Sequence, residues 1–217
     1  MVKAVIFDMD GLMIDTEVVN YQFFGRYFQT LGVQLSLDDY CICFTGKSIE
    51  HGLDSVRELY HLDFQNEDYW AYFQDFRKDW ENQIAPLKPG LNELLEDLKT
   101  QDIKLAIATS SDRERVQRLF QRYSVLKYFD AIVCGPDVKA GKPAPDIFLK
   151  ACEKLSVAPM DALVLEDSET GIEAAYRAKI PVICIPDLKQ PDERHARMTS
   201  AILPSLREVI DEVRRMR

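Results

Sequence analysis

The sequence predicts an α/β fold: a parallel sheet covered by helices on both faces, interrupted after its first strand by a helical insert. Three observations lead there. Five short apolar runs recur along the chain, and stretches with helical periodicity separate them. Near the start, a stretch of about seventy residues carries helical periodicity and no β pattern.

The first run is Lys3–Asp8, followed by Lys104–Thr109, Ala131–Cys134, Ala162–Glu166 and Pro181–Ile185. Their apolar runs suit strands buried on both faces. Helices are expected at Leu91–Lys99, Glu114–Tyr123, Pro145–Leu155 and Gly171–Ala178, with a closing amphipathic helix over Ser205–Arg217. Right-handed crossovers would place every strand C-terminus on one edge, where ligands bind in such sheets. The insert covers 15–84 and leaves 1–14 and 85–217 to the sheet domain. Tyr69, Phe73, Phe76 and Trp80 recur at spacings of four, three and four, a single helical stripe expected to form the insert's core. Pro86, Pro89 and Gly90 mark the return to the sheet.

Composition narrows the function. Hydrophobic residues make up 47% of the 217 and charged residues 29%, as in an ordinary globular protein. A net charge of −9 offers no basic footprint for a nucleic acid polymer or an anionic membrane. The apolar runs are strand-sized, too short to cross a bilayer, and no leader-like segment opens the chain. The cytoplasm is therefore the expected compartment, and oligomeric state is not legible. The five cysteines (Cys41, Cys43, Cys134, Cys152, Cys184) are scattered and read as structural thiols rather than a metal or redox set.

The residues with chemistry in them mostly close strands. Asp8 and Asp10 follow the first strand and precede Gly11; on extended backbone, acids two apart project to the same side. One can attack phosphorus while the other handles the leaving group's proton. Thr109 closes the second strand, and Ser110, Ser111 and Asp112 lead into a helix. A hydroxyl and backbone N–H groups there suit a phosphate dianion, although Ser111 or Asp112 also reads as an ordinary N-cap. Lys142 stands in Gly141-Lys142-Pro143 on the loop before another helix, placed to neutralise a nucleophile and a phosphoryl group. Glu166 and Asp167 end the run Ala162–Leu165, where two adjacent carboxylates repel unless solvated or shared with a cation. Hard oxygen donors without histidine or cysteine favour Mg²⁺. Thr45-Gly46-Lys47-Ser48 looks like the end of a P-loop, but Cys41 occupies the first glycine position and no strand precedes it.

Together these motifs resemble the haloacid dehalogenase-like hydrolase superfamily, in its β-phosphoglucomutase-like phosphatase branch. The resemblance spans nearly the whole chain and implies a Rossmann-like core carrying a helical cap. It implies Asp8 as the nucleophile forming an aspartyl-phosphate, Asp10 as the general acid and base, and Lys142 as the stabilising cation. It also implies Thr109 and the Ser110 amide as phosphate-holding groups. Mg²⁺ would be held by Asp8, the Asp10 carbonyl and Asp167, with Glu166 beside them. Cap residues Asn20 and Lys47 would face the substrate. Where mutase members carry a hinge histidine and a phosphate-gripping arginine, this chain has Asn20 and Ile49, which favours hydrolysis of a small phosphorylated metabolite such as a sugar, polyol or nucleotide monophosphate. The alternatives are a phosphomutase and a non-catalytic phosphate-binding regulatory protein.

Overall fold

The computed structural model describes residues 1–45, 48–82 and 85–216, and the side chains of all of these except 77 and 79–82. The chain divides into two compact units, Met1–Asp15 with Pro86–Arg217, and Thr16–Ala85. In chain order, β1 (Ala4–Phe7) opens the first unit. The second unit then supplies α1 (Thr16–Thr30), α2 (Leu37–Phe44), α3 (Ile49–Leu59) and α4 (Asn66–Asn82). The first unit resumes with α5 (Leu91–Thr100), β2 (Lys104–Thr109), α6 (Arg113–Phe120) and β3 (Ala131–Cys134). It continues with α7 (Asp146–Leu155), β4 (Ala162–Glu166), α8 (Glu169–Arg177) and β5 (Val182–Cys184), and closes with α9 (Glu193–Ala196), β6 (Ala201–Ile202) and α10 (Leu206–Arg215).

The six strands form one sheet in the order β3-β2-β1-β4-β5-β6, and every neighbouring pair is parallel. This is the expected Rossmann-like α/β core. From β1 the chain builds outward through β2 and β3, then crosses back to lay β4 on β1's other side. β1 and β4 therefore flank the switch point, where a crevice opens at the strands' C-terminal ends.

The strand sequences explain their depth. β1 (AVIF) and β4 (ALVLE) are buried at every position, as strands covered on both faces require. Ala4, Ile6, Ala106, Ala108, Val133, Ala162 and Val164 join Ile147 and Phe148 of α7 and Ile172 and Ala175 of α8 in one core. The alternating positions Val5, Phe7, Leu105, Ile107, Leu163 and Leu165 are equally buried and face the other way. Glu166 breaks this pattern, a carboxylate wholly inaccessible at the end of β4. A carboxylate is that deep only when paired.

The second unit is an aromatic-rich helical bundle. Phe24 of α1 stacks on Tyr69 of α4 with ring centroids 5.2 Å apart, and Phe23 meets Phe73 at 5.6 Å. Ser36 and Ser48 cap α2 and α3 through their hydroxyls. The expected stripe holds only in part. Tyr69 is buried and packs with Phe73, whereas Phe76 is 42% exposed. Tyr72, off the stripe, reaches Phe23 and Tyr27 of α1 instead, because α4 presents a broader face to α1 than one row of side chains. The Trp80 side chain lies outside the described residues. Among the described residues, no helix is long and apolar enough to cross a membrane.

Candidate active site

β1 ends at Phe7, so Asp8 and Asp10 lie on the turn beyond it, and strand alternation does not set their directions. The Asp8 N–H donates to the Leu165 carbonyl at 3.0 Å, which ties the acid to the end of β4. Lys142, on the loop before α7, reaches between the two strand ends. Its Nζ donates to both Asp8 Oδ1 and Glu166 Oε1 and lies 5.0 Å from the centroid of the Phe148 ring, a cation–π contact. The Lys142 side chain is 6% exposed. Burial alone would lower the ammonium's pKa, but the Asp8 and Glu166 charges outweigh it and hold the group above its usual range. Lys142 is thus a fixed cation.

Glu166 is anchored from the other side. Its Oε2 accepts from the N–H of Asp167 at 3.0 Å, the N–H of Ser168 at 2.9 Å and the Ser168 hydroxyl at 2.9 Å. These donors lead into α8, with Ser168 as its N-cap, where the helix dipole also favours a carboxylate. A β-carbon on Gly171 would sit 1.7 Å from Glu166 Oε1, so only glycine leaves room for the carboxylate. Glu166 cannot swing aside, because both oxygens are engaged. Gly171→Ala is therefore expected to cost about 1–3 kcal/mol through overpacking and to impair activity by displacing Lys142. Thermal denaturation beside an activity assay checks this; an unchanged protein would show that the Glu166 anchor is dispensable.

Asp167 turns the opposite way, toward Gly11. Gly11 has φ +84°, a conformation that disfavours side chains, and donates its N–H to the Ile14 carbonyl at 2.9 Å. A β-carbon there would lie 2.2 Å from Asp167 Oδ2. Burial, then the charges of Glu166 and Asp8, push the Asp167 carboxyl well above its ordinary range. Burial likewise pushes Asp8 up to about 7, with Lys142 only partly offsetting it. Asp8 and Glu166 thus share the Lys142 ammonium, and Asp167 adds a third carboxylate within reach of these charges. That excess of buried negative charge, carried by hard oxygen donors, fits a divalent cation such as Mg²⁺.

Asp10 faces a different set. Its Oδ1 accepts from Arg115 Nη2 at 2.7 Å and its Oδ2 from the Ser111 hydroxyl at 3.0 Å. The Asp10 side chain keeps 32% exposure, so it meets solvent while Asp8 does not. Asp112, rather than Ser111, caps α6, accepting from the Arg115 N–H at 2.7 Å. Ser111 is thereby left to hold Asp10. Thr109 is buried, and its Oγ1 accepts from the Ser111 N–H at 3.1 Å; Ser110, beside it, is exposed. Arg115 had no signal in the sequence beyond its place in the first turn of α6.

The structure thus gathers Asp8, Asp10, Thr109, Ser110, Lys142, Glu166 and Asp167 at the C-terminal ends of β1, β2 and β4. Asn20 belongs to α1 of the second unit, where its amide donates to Glu17 Oε1 at 3.2 Å. Lys47 lies outside the described residues. Four of the five thiols are buried and Cys41 half-buried, all unbonded to one another. Burial pushes Cys152 up to about 11 and Cys184 up to about 12, which suits inert packing rather than nucleophiles. Glu169, Asp192 and His195 form a second cluster of potential ligands. There Asp192 caps α9 and Lys189 pairs with Glu169, so its polar groups already serve structure.

The sequence profile of the family described as haloacid dehalogenase-like hydrolase matches residues 5–185. That span carries every acid and the lysine of the site. The chain is a haloacid dehalogenase-like hydrolase. It is 37% identical, over 82% of its own length and 82% of the other's, to a phosphorylated carbohydrates phosphatase of Thermotoga maritima. It is 30% identical to a β-phosphoglucomutase of Bacillus subtilis, over 81% of this chain and 80% of that one. Among solved structures, a candidate β-phosphoglucomutase of Thermotoga maritima superposes with a TM-score of 0.80 at 29% identity, covering 99% of this chain and 100% of the other. This hydrolase therefore belongs to the superfamily's β-phosphoglucomutase-like phosphatase branch, and it is a phosphoric monoester hydrolase.

Proposed function

We propose that this hydrolase removes phosphate from a small phosphorylated metabolite (a sugar, polyol or nucleotide monophosphate) in a Mg²⁺-dependent reaction that passes through an aspartyl-phosphate on Asp8. The observation that carries this reading is the buried Asp8 carboxylate, pinned by Lys142 at the sheet's C-terminal edge beside Asp167. Desolvation leaves Asp8 poorly stabilised as an anion, which favours attack on an electrophilic phosphorus. Lys142, fixed by Glu166, lies where it can offset charge on the transferring phosphoryl group. The Thr109 hydroxyl and the Ser110 amide hold phosphate oxygens at the start of α6.

Asp10 does the proton work. Its partly exposed carboxyl protonates the leaving oxygen, then takes a proton from the water that cleaves the acyl phosphate. Ser111 and Arg115 hold Asp10 while Lys142 holds Asp8, so the two acids, with different partners, take separate roles. Mg²⁺, when bound to the carboxylates of Asp8 and Asp167 and the carbonyl of Asp10, supplies charge that offsets the repulsion between phosphate and attacking carboxylate. Glu166 supports that group by holding Lys142. Residues 15–84 serve as the cap, with Asn20 and Lys47 contributing to substrate choice. The named Thermotoga relative acts on phosphorylated carbohydrates, which supports a sugar or polyol phosphate as the first class to try.

The test is phosphate release from a panel of phosphorylated sugars, polyols and nucleotides, with Mg²⁺ and with a chelator. Release that needs Mg²⁺ is expected for at least one class. Interconversion of hexose phosphates without net release would instead support a mutase.

A further inference from the structure

A second buried ion pair stands beside the catalytic acids. Lys88 Nζ donates to Asp187 Oδ1 at 2.6 Å, and the two side chains are only 16% and 8% exposed. The pair joins two distant segments at the catalytic edge. Lys88 lies on the chain's return from the second unit and gives its N–H to the Met13 carbonyl at 2.9 Å. Asp187 lies just past β5, where the Ile185 N–H donates to the Glu166 carbonyl at 2.8 Å. The other carboxylate oxygen, Asp187 Oδ2, is buried without a hydrogen-bond partner. A buried acceptor left unmatched by the protein is costly, so Oδ2 calls for a proton donor from outside the chain.

The unmatched oxygen has a direction. A β-carbon on Gly11 would come within 2.2 Å of Asp167 Oδ2 and 3.3 Å of Asp187 Oδ2. Both oxygens therefore lie against the face of Gly11 from which a side chain would project, which only glycine leaves open to them. As carboxylate oxygens both are acceptors, and Lys88 donates to Oδ1. A polar occupant with protons to give would satisfy Oδ2. Building on the Mg²⁺ site proposed above, we propose that Asp187 is a positioning residue for the metal: its Oδ2 accepts a hydrogen bond from a water carried by Mg²⁺ on Asp8 and Asp167, and Lys88 fixes the carboxylate in that orientation. Partners of this kind typically change metal affinity by about 10–100-fold.

The experiment is calorimetric titration of the full-length chain with Mg²⁺, which needs no substrate. Asp187→Asn keeps an oxygen for Lys88 but turns an N–H donor toward the water and removes the charge. It should bind Mg²⁺ roughly 10–100-fold more weakly than the parent, with an unchanged near-ultraviolet dichroism spectrum. The double variant Lys88→Met, Asp187→Asn removes the buried cation together with its partner and should show the same loss; it decides the matter if the single variant does not fold. Asp167→Asn serves as the reference for loss of a direct ligand. Parental affinity in a folded Asp187→Asn or double variant, with Asp167→Asn impaired, would overturn the role of Asp187 and leave the Mg²⁺ site standing. No Mg²⁺ binding by the parent, or undiminished binding by Asp167→Asn, would overturn the Mg²⁺ site itself and this inference with it.

Discussion

Asp8→Asn is expected to fold as the parent does and to lose at least about a thousandfold of its turnover. Removal of a covalent nucleophile leaves only what positioning and electrostatics provide, and such losses typically run from 10³ to 10⁶. The fold should survive because the substitution lightens the site. Asp8 is buried and desolvated, so a neutral amide is no worse accommodated there than the carboxylate. Lys142 retains Glu166 as its counter-charge. Steady-state phosphate release with the substrate found in the panel, beside a thermal melt, checks both halves. Full activity in the variant would remove Asp8 from the mechanism, and a collapsed melt would mean that the Asp8–Lys142 pair holds the fold.

Lys142→Met is expected to fail in both respects. The Lys142 ammonium answers Asp8 and Glu166 at once, and both are deeply buried. Methionine fills much of the lysine's volume but leaves two carboxylates facing each other without a cation. Breaking a buried pair by removing one member typically costs about 3–5 kcal/mol, which for a chain of this size lowers the melting midpoint by roughly 6–20 °C. Turnover should fall by about 10²–10³ as well, through loss of charge stabilisation on the phosphoryl group. Differential scanning calorimetry and the phosphate assay measure the two effects. An unchanged midpoint would show that the carboxylates escape the penalty by taking up protons, and that Lys142 matters for chemistry alone.

Most of the sheet was legible in the sequence, for a physical reason. Strands buried on both faces must be apolar throughout, so β1, β2, β3, β4 and β5 stand out as runs, and the helices between them show a one-sided period. β6, at two residues, and α9, at a single turn, are too short to carry a period that the sequence could display. Phe76 departs from the stripe that its spacing predicts, because spacing alone cannot reveal how broad a face α4 offers to α1. Its exposure and the burial of neighbouring rings follow from tertiary packing.

In the candidate site, the acids and the lysine stand out in the sequence because each closes a strand or stands in a marked loop. Their partnerships do not. Arg115 meets Asp10 across 105 residues of chain, and Lys88 meets Asp187 across 99; no local pattern reports either contact. The adjacent acids Glu166 and Asp167 look equivalent in the sequence. They part because Ser168 and Gly171 turn one toward the start of α8 and Lys142, while Gly11 makes room for the other. Those distinctions belong to the fold, and they assign Glu166 to the lysine and Asp167 to the metal in the mechanism proposed here.

The most direct measurement is to trap the covalent intermediate. The enzyme would be mixed with its best substrate and Mg²⁺, quenched in acid within the first turnover, digested and mapped by mass spectrometry. A hydroxylamine-labile phosphoryl group on the peptide carrying Asp8, absent from Asp8→Asn, is the predicted result. Phosphate release in a clear first-turnover burst with no phosphorylated Asp8 peptide at any quench time would contradict nucleophilic attack by Asp8.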